Sequence, residues 1–388
     1  MEITETVFLD IALVVVASAV LAWLSSRVRQ PIIVAYMVAG AVLGPGGLKI
    51  VSEIGFLNEV SHIGVTLLLF LAGLTLHPHR LVALFKKTVL PTLATALIFA
   101  AVAAGCSAAW GYPPLESLII GLALSFSSTI IVIKLVPTTT LHQQHMGSVC
   151  IAVLIIQDIL AVTALLILGS DPPTSWGGWA VIPLKGAGMF AGVLLVERFI
   201  LRRIMRQVEH YHELLYLMTI AWCFAVALLA EVAGMSHEIG AFLAGVALAN
   251  GPIALFLSEG LKFFRDFFLV LFFFTLGARL DFRVLHEIVL PASILAALLI
   301  VLKPAVYLWF FKRAGETGRF SRELGVRMGQ ASEFSLIIAL AAVAGGTISL
   351  RASQLIQVTT ILTMIASSYA VVSFYRTPLG TRTSLKQD

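Results

Sequence analysis

The chain has 388 residues, 59% of them hydrophobic and only 12% charged, with a net charge of +5. A soluble globular domain carries about 25% charged residues. Too few polar groups remain to cover a water-facing surface, so the chain reads as an integral membrane protein with lipid, not nucleic acid, around it.

A bilayer core about 30 Å thick needs about 20 apolar residues per helix. Apolar runs and their interruptions predict about thirteen spans, near 5–25, 31–46, 58–76, 88–110, 115–135, 147–170, 179–200, 212–231, 236–251, 263–280, 286–311, 322–345 and 353–375. The first run lacks a basic leader and is expected to be a retained span. The second and ninth are short and rich in glycine; Gly40, Gly44 and Gly46 point to close helix packing. Residues 1–375 thus form a transmembrane domain, and 376–388 a short polar tail. Cys106, Cys150 and Cys223 stand apart in apolar runs and read as small hydrophobes.

Basic residues test the span count, because cytoplasmic loops collect Lys and Arg. Under this count 20 of the 26 fall on one face, among them Arg27, Arg29, Arg80, Lys86, Lys87, Arg198, Arg202, Arg203, Arg206, Arg327, Arg382 and Lys386. The other face receives Lys49, Lys185, Arg279, Arg283 and Arg351, and Lys303 alone is left inside a span. The N-terminus is therefore expected outside and the C-terminus in the cytoplasm.

An internal repeat is visible. "AYMVAGAVLGPG" (Ala35–Gly46) aligns with "GAFLAGVALANG" (Gly240–Gly251), and "LLLFLAGLTLHPHRL" (Leu67–Leu81) aligns with "LFFFTLGARLDFRVL" (Leu271–Leu285), at offsets of 205 and 204. Span two then matches span nine, and span three matches span ten. A shift of seven spans makes the copies cross the membrane in opposite directions. Such inverted-topology repeats belong to secondary transporters, which bind ions near the midplane at discontinuous helices.

The breaks are expected where small and polar residues interrupt paired spans. "LALSFSSTIIVI" (Leu122–Ile133) in span five is set against "GQASEFSLIIAL" (Gly329–Leu340) in span twelve. Ser125, Ser127, Ser128 and Thr129 stand in the first; Gln330, Ser332, Glu333 and Ser335 stand in the second. Hydroxyl and amide groups can satisfy backbone freed by an unwound turn.

Asp158, in "VLIIQDILAV", lies about ten residues from either end of span six. An aspartate at that depth costs roughly 2.5–3.5 kcal/mol, and such residues face a pathway or a partner. A partly wet carboxylate holds either a proton or a metal cation, and competition between them couples their flows. Ser127, Ser128, Thr129, Gln157 and freed carbonyls of span five are the candidate further oxygen ligands for a monovalent cation at Asp158. Gln157 is neutral, so the site holds one carboxylate, and a proton exchanged for a monovalent cation moves no net charge.

Lys303, followed by Pro304, reads as a salt-bridge partner, a brace for the broken helices or a proton-titrating group. Glu333 and Ser332 are expected to stabilise helix ends or to gate the site; Glu333 is also a candidate partner of Lys303. No phosphate-binding loop, dinucleotide fingerprint, zinc motif or nucleophile elbow occurs, so a carrier without a cofactor is expected, not an enzyme.

Five stretches in order, "IGVTLLLFLAGLTL", "SFSSTIIVIKLV", "VLIIQDILAV", "GAFLAGVALAN" and "GQASEF", resemble the membrane domain of the monovalent cation:proton antiporter-2 family. The nearest likeness is to its glutathione-gated potassium efflux (Kef-type) branch, whose motif is also Gln-Asp. The resemblance implies an all-α, elevator-type, sodium/proton-antiporter-like fold with two crossing discontinuous helices. A core of about 88–170 and 286–375 would slide against a dimerisation scaffold of about 1–87 and 179–280. It carries the cation and proton site to Asp158 with Gln157 beside it, a core lysine to Lys303 and the crossover acid to Glu333. It also implies a homodimer in a bacterial inner membrane, and a cytoplasmic regulatory domain or subunit outside this chain. Potassium is the expected cation ahead of sodium. The rival readings are a sodium-coupled symporter of an organic anion and a channel-like cation pathway.

Overall fold

The computed structural model describes residues 2–28, 32–51, 55–74, 78–135, 145–168, 178–208, 210–249, 251, 253–280 and 282–377. Of the features read from sequence, Arg29 and the polar tail from residue 378 onward, with Arg382 and Lys386, lie outside the described residues.

The chain is built from α-helices. In order they are α1 (Glu2–Arg27), α2 (Ile32–Leu43), α3 (Gly55–Leu74), α4 (Pro78–Ala109), α5 (Pro114–Ser125), α6 (Thr129–Leu135), α7 (His145–Leu168) and α8 (Gly178–Val196). A π-helical turn (Glu197–Leu201) leads into α9 (Arg202–Val208). Then follow α10 (His212–Val232), α11 (His237–Leu248), α12 (Ala254–Ala278), α13 (Phe282–Arg313), α14 (Gly318–Arg327), α15 (Glu333–Ala344) and α16 (Leu350–Phe374).

Every span read from sequence coincides with helix. Length and composition qualify fewer as full crossings: among the described residues seven helices are long and apolar enough to cross a membrane. The difference has local causes. Helices α2 and α11 stop after 12 residues each. Spans five and twelve are each divided in two, and the N-terminal half of α12 carries Glu259, Lys262, Arg265 and Asp266.

The described chain gathers into two compact units, one drawn from Met1–Val15, Val51–Arg80 and Val162–Thr275, the other from Val16–Ile50, Leu81–Ala161 and Leu276–Asp388. In the first, Phe70, Leu74, Trp222, Val226, Ala244 and Leu257 form a core, and the Trp222 indole donates to the Ala244 carbonyl at 3.2 Å. In the second, Phe99, Val153, Leu154, Tyr307, Phe311 and Met328 pack together. Cys150 and Cys223 are fully buried and free, in keeping with their reading as small hydrophobes.

The repeat is legible in the packing of each unit. Gly73 lets α3 press against the Phe242 carbonyl of α11, where a Cβ has no room. Gly277 does the same for α12 against the Met37 carbonyl of α2. The two glycines are 204 residues apart and the two carbonyl residues 205 apart, so each copy of span three or ten packs on the other copy's span two or nine. Helices α4 and α13 are likewise 32 residues each and start 204 residues apart; their prolines Pro91 and Pro291 are 200 apart, one turn out of that register.

Candidate functional site

Both breaks lie in the second unit. Helix α5 ends at Ser125, and Phe126 turns the backbone into extended geometry (φ −79°, ψ 160°). The chain re-enters helix at Thr129, with the Ser128 hydroxyl accepting from the Ile131 amide at 3.2 Å. The second break runs from Met328 to Ser332, which caps α15: its hydroxyl accepts from the Phe334 amide at 3.1 Å, and Ser335 returns the bond by accepting from the Ser332 amide at 3.2 Å. Ser128 and Ser332 are 204 residues apart, the offset of the repeat. This corrects the pairing of Leu122 with Gly329 by three residues: capping fixes a register that an apolar alignment leaves loose. Small polar residues stand here because an N-cap needs a short side-chain acceptor.

The two breaks are tied to each other. The Lys303 ammonium, fully buried on α13, donates to the Phe126 carbonyl at 2.8 Å and the Gln330 carbonyl at 2.9 Å. It also lies 5.5 Å from the centre of the Phe99 ring. Each break thus presents a carbonyl that its own helix does not use, and one cation serves both. The Ser127 hydroxyl donates to the Met328 carbonyl at 2.8 Å, the Gln330 amide to the Ser128 carbonyl at 3.4 Å, and the Ser335 hydroxyl to the Ala123 carbonyl. Gly325 brings α14 against Pro304 of α13, which sets Lys303 at the junction.

Asp158 projects from α7, 9% exposed. The Thr129 hydroxyl stands 3.3 Å from each of its two oxygens. Glu333, 2% exposed at the first turn of α15, lies within electrostatic reach of it. Gln157 is engaged at both ends: its carbonyl accepts from the Ser127 amide at 2.9 Å, and its amide donates to the Tyr307 hydroxyl at 2.9 Å. Among the expected oxygens, then, Thr129 meets Asp158. Ser127, Ser128 and Gln157 hold the first break, while Lys303 and Ser332 hold the second or join the two. Among the described residues no group of three or more His, Cys, Asp or Glu is arranged to hold a metal ion.

Two contributors escaped the sequence reading. Arg327 had been counted among loop cations, yet it is 2% exposed. It bonds Glu323 at 2.8 Å, the Leu135 carbonyl at the end of α6 at 3.1 Å and the Arg376 carbonyl at 3.0 Å. The i,i+4 spacing of Glu323 and Arg327 was the signal available. Thr363 on α16 accepts from the Ala331 amide at 3.0 Å, and nothing local in the sequence marks it.

Chemically, a buried carboxylate beside two joined helix breaks offers oxygen to a proton or a hard cation. A helical membrane protein with repeat-related breaks at such a site is a secondary transporter. The family model for the sodium/hydrogen exchanger, transmembrane, matches residues 14–374, and the chain belongs to that family. Its class is a transporter and not an enzyme. It is 30% identical over 371 residues to the glutathione-regulated potassium-efflux system protein KefC of Salmonella schwarzengrund, over 93% of this chain and 59% of that protein. The chain therefore spans about three fifths of that relative's length. It is 27% identical over 373 residues to the iron transporter MagA of Paramagnetospirillum magneticum, over 94% of this chain and 85% of that one. The structure of the sodium proton antiporter MjNhaP1 from Methanocaldococcus jannaschii matches with a TM-score of 0.70 at 15% identity, over 95% of this chain and 96% of that one, and shares its fold. The resemblance to a Kef-type membrane domain is borne out.

Proposed function

We propose that the chain exchanges a monovalent cation for a proton at Asp158, with K⁺ favoured over Na⁺, by alternating access and without net charge movement. One observation carries this reading: the buried Asp158 carboxylate meets the Thr129 hydroxyl, 3.3 Å from each of its oxygens, beside a helix break. Burial favours a neutral carboxyl and a bound cation favours the ionised one, so proton and cation compete for the same two oxygens. Gln157 is neutral and already bonded at both ends, so within the Gln157–Asp158 pair Asp158 is the group that changes charge. Identity with a potassium-efflux relative across nearly the whole chain supports K⁺.

Transport in this reading follows an elevator-type movement of the core helices (about 88–170 and 286–375) relative to a scaffold (about 1–87 and 179–280). The setting is a homodimer in a bacterial inner membrane, N-terminus outside and C-terminus cytoplasmic, working with a cytoplasmic regulatory domain or subunit. The test is ion-driven proton release in proteoliposomes with K⁺, Na⁺, Li⁺, Rb⁺ and, because one relative is an iron transporter, Fe²⁺. Wild type is expected to respond to K⁺ most strongly, and Asp158→Asn to none. Full activity in Asp158→Asn would sink the mechanism, and transport that follows an imposed voltage without ion gradients would overturn electroneutrality.

A further inference from the structure

Helix α16 carries an unusual load for a membrane helix. Residues 352–360 are buried without interruption, yet they include Ser353, Gln354, Gln357, Thr359 and Thr360. One turn further on, Thr363, Ser367 and Ser368 are buried as well. Thr363 and Ser367 serve the second break, the latter by donating to the Gln330 side-chain oxygen at 2.8 Å. Ser353 accepts from the Gln357 side-chain amide at 3.1 Å, and the remaining polar atoms are unsatisfied among the described residues. Both polar atoms of Gln354, the side-chain oxygen of Gln357 and the hydroxyls of Thr359, Thr360 and Ser368 have no hydrogen-bond partner.

Buried polar groups are paired almost everywhere in proteins, and each exception needs a cause. Six orphaned atoms on one helix are not scattered accidents. By helical periodicity Gln354, Gln357, Thr360, Met364, Ser367 and Ser368 share one face. The face runs about 21 Å at 1.5 Å per residue, from the N-terminal end of α16 to the second break. An apolar helix gains nothing when water enters beside it, whereas this face gains a partner for the orphaned groups of Gln354, Gln357, Thr360 and Ser368.

We propose that α16 lines a water route, shut in this conformation, that fills when the packing around α16 loosens and leads from the N-terminal end of the helix to the second break. It would give protons and water a path that bypasses the first break. The route does not depend on which ion is carried, and its test reads water, not transport.

Met364 sits in the stripe, fully buried, and is a built-in probe. Hydroxyl-radical footprinting of the whole chain in lipid nanodiscs, with K⁺ present, compares its oxidation with that of Met37 and Met205, which are similarly buried elsewhere. Bound water beside Met364 is expected to raise its oxidation about tenfold over those two. Thr360→Val with Gln354→Leu is expected to remove that excess, and Thr360→Ser, which keeps the hydroxyl, to retain it. Oxidation of Met364 no faster than that of Met37 and Met205 overturns the route. So does fast oxidation that the double variant leaves unchanged, since water then reaches Met364 by another path. Unchanged protection of Met37 and Met205 in the variants certifies that they fold.

Discussion

At the first break the chain leaves α5 at Ser125 and re-enters helix at Thr129; at the second it leaves α14 at Arg327 and re-enters at Glu333. Both re-entries are capped by a serine at the repeat offset, and both give a carbonyl to Lys303. Their surroundings differ. The first break faces the Gln157–Asp158 pair of α7. The second faces α16, where the repeat-equivalent stretch carries threonines and no acid. One architecture, used twice, thus faces its first break with an acid from the neighbouring long helix, Asp158, while the acid at the second break, Glu333, belongs to the re-entering helix itself.

Predictions break or sharpen this asymmetry. The largest effect belongs to Asp158→Asn, which is expected to reduce ion-driven proton release to the level of empty vesicles while leaving the melting temperature near wild type. Lys303→Met attacks what the breaks share. It strips the donor from two buried carbonyls and is expected to cost about 2–4 kcal/mol, read as a fall in melting temperature larger than any change in proton coupling. Unchanged melting with coupling lost would make Lys303 a transport residue and not a brace.

Gln157→Leu loosens the first break alone. It removes bonds to the Ser127 amide and the Tyr307 hydroxyl and is expected to cost about 1–3 kcal/mol in thermal or chemical unfolding. Thr129→Val keeps the shape but removes the hydroxyl on Asp158; the expected loss of about 1 kcal/mol corresponds to roughly fivefold weaker apparent cation affinity in a titration of transport rate. The smallest effects should come from Ser128→Ala and Ser332→Ala, each about 1 kcal/mol in stability through loss of a cap. The caps are equivalent and the sites are not, so Ser128→Ala alone should also shift cation affinity, because α6 carries Thr129. Equal shifts from both caps would remove the asymmetry.

Much of this was legible in the chain itself. Apolar runs separated by turns follow from bilayer thickness, and they located the apolar helices; the basic α9 (Arg202–Val208) falls between them. The breaks announced themselves because polar residues interrupt two spans that the repeat pairs; the same residue types in the unbroken α16 show that composition alone does not mark a break. The repeat appeared as matching glycines at offsets of 204 and 205, where close backbone contact leaves no room for a larger residue. Asp158 stood out because an acid in a hydrocarbon setting is costly.

Other features waited for the tertiary structure. That Lys303 joins both breaks and that Arg327 is buried depend on bonds to backbone carbonyls, and that Gln157 braces the first break depends on a backbone amide and a distant tyrosine hydroxyl. Every residue has a carbonyl, so such partners leave no mark in a sequence. The polar face of α16 was likewise hidden, because threonine and glutamine read alike whether paired or not, and only the folded neighbours decide that Gln354 and Thr360 have nothing to bond. Sequence determined which segments enter the membrane and where they interrupt, through local periodicity and solvation; the packing of distant helices alone decided which interruption faces the acid.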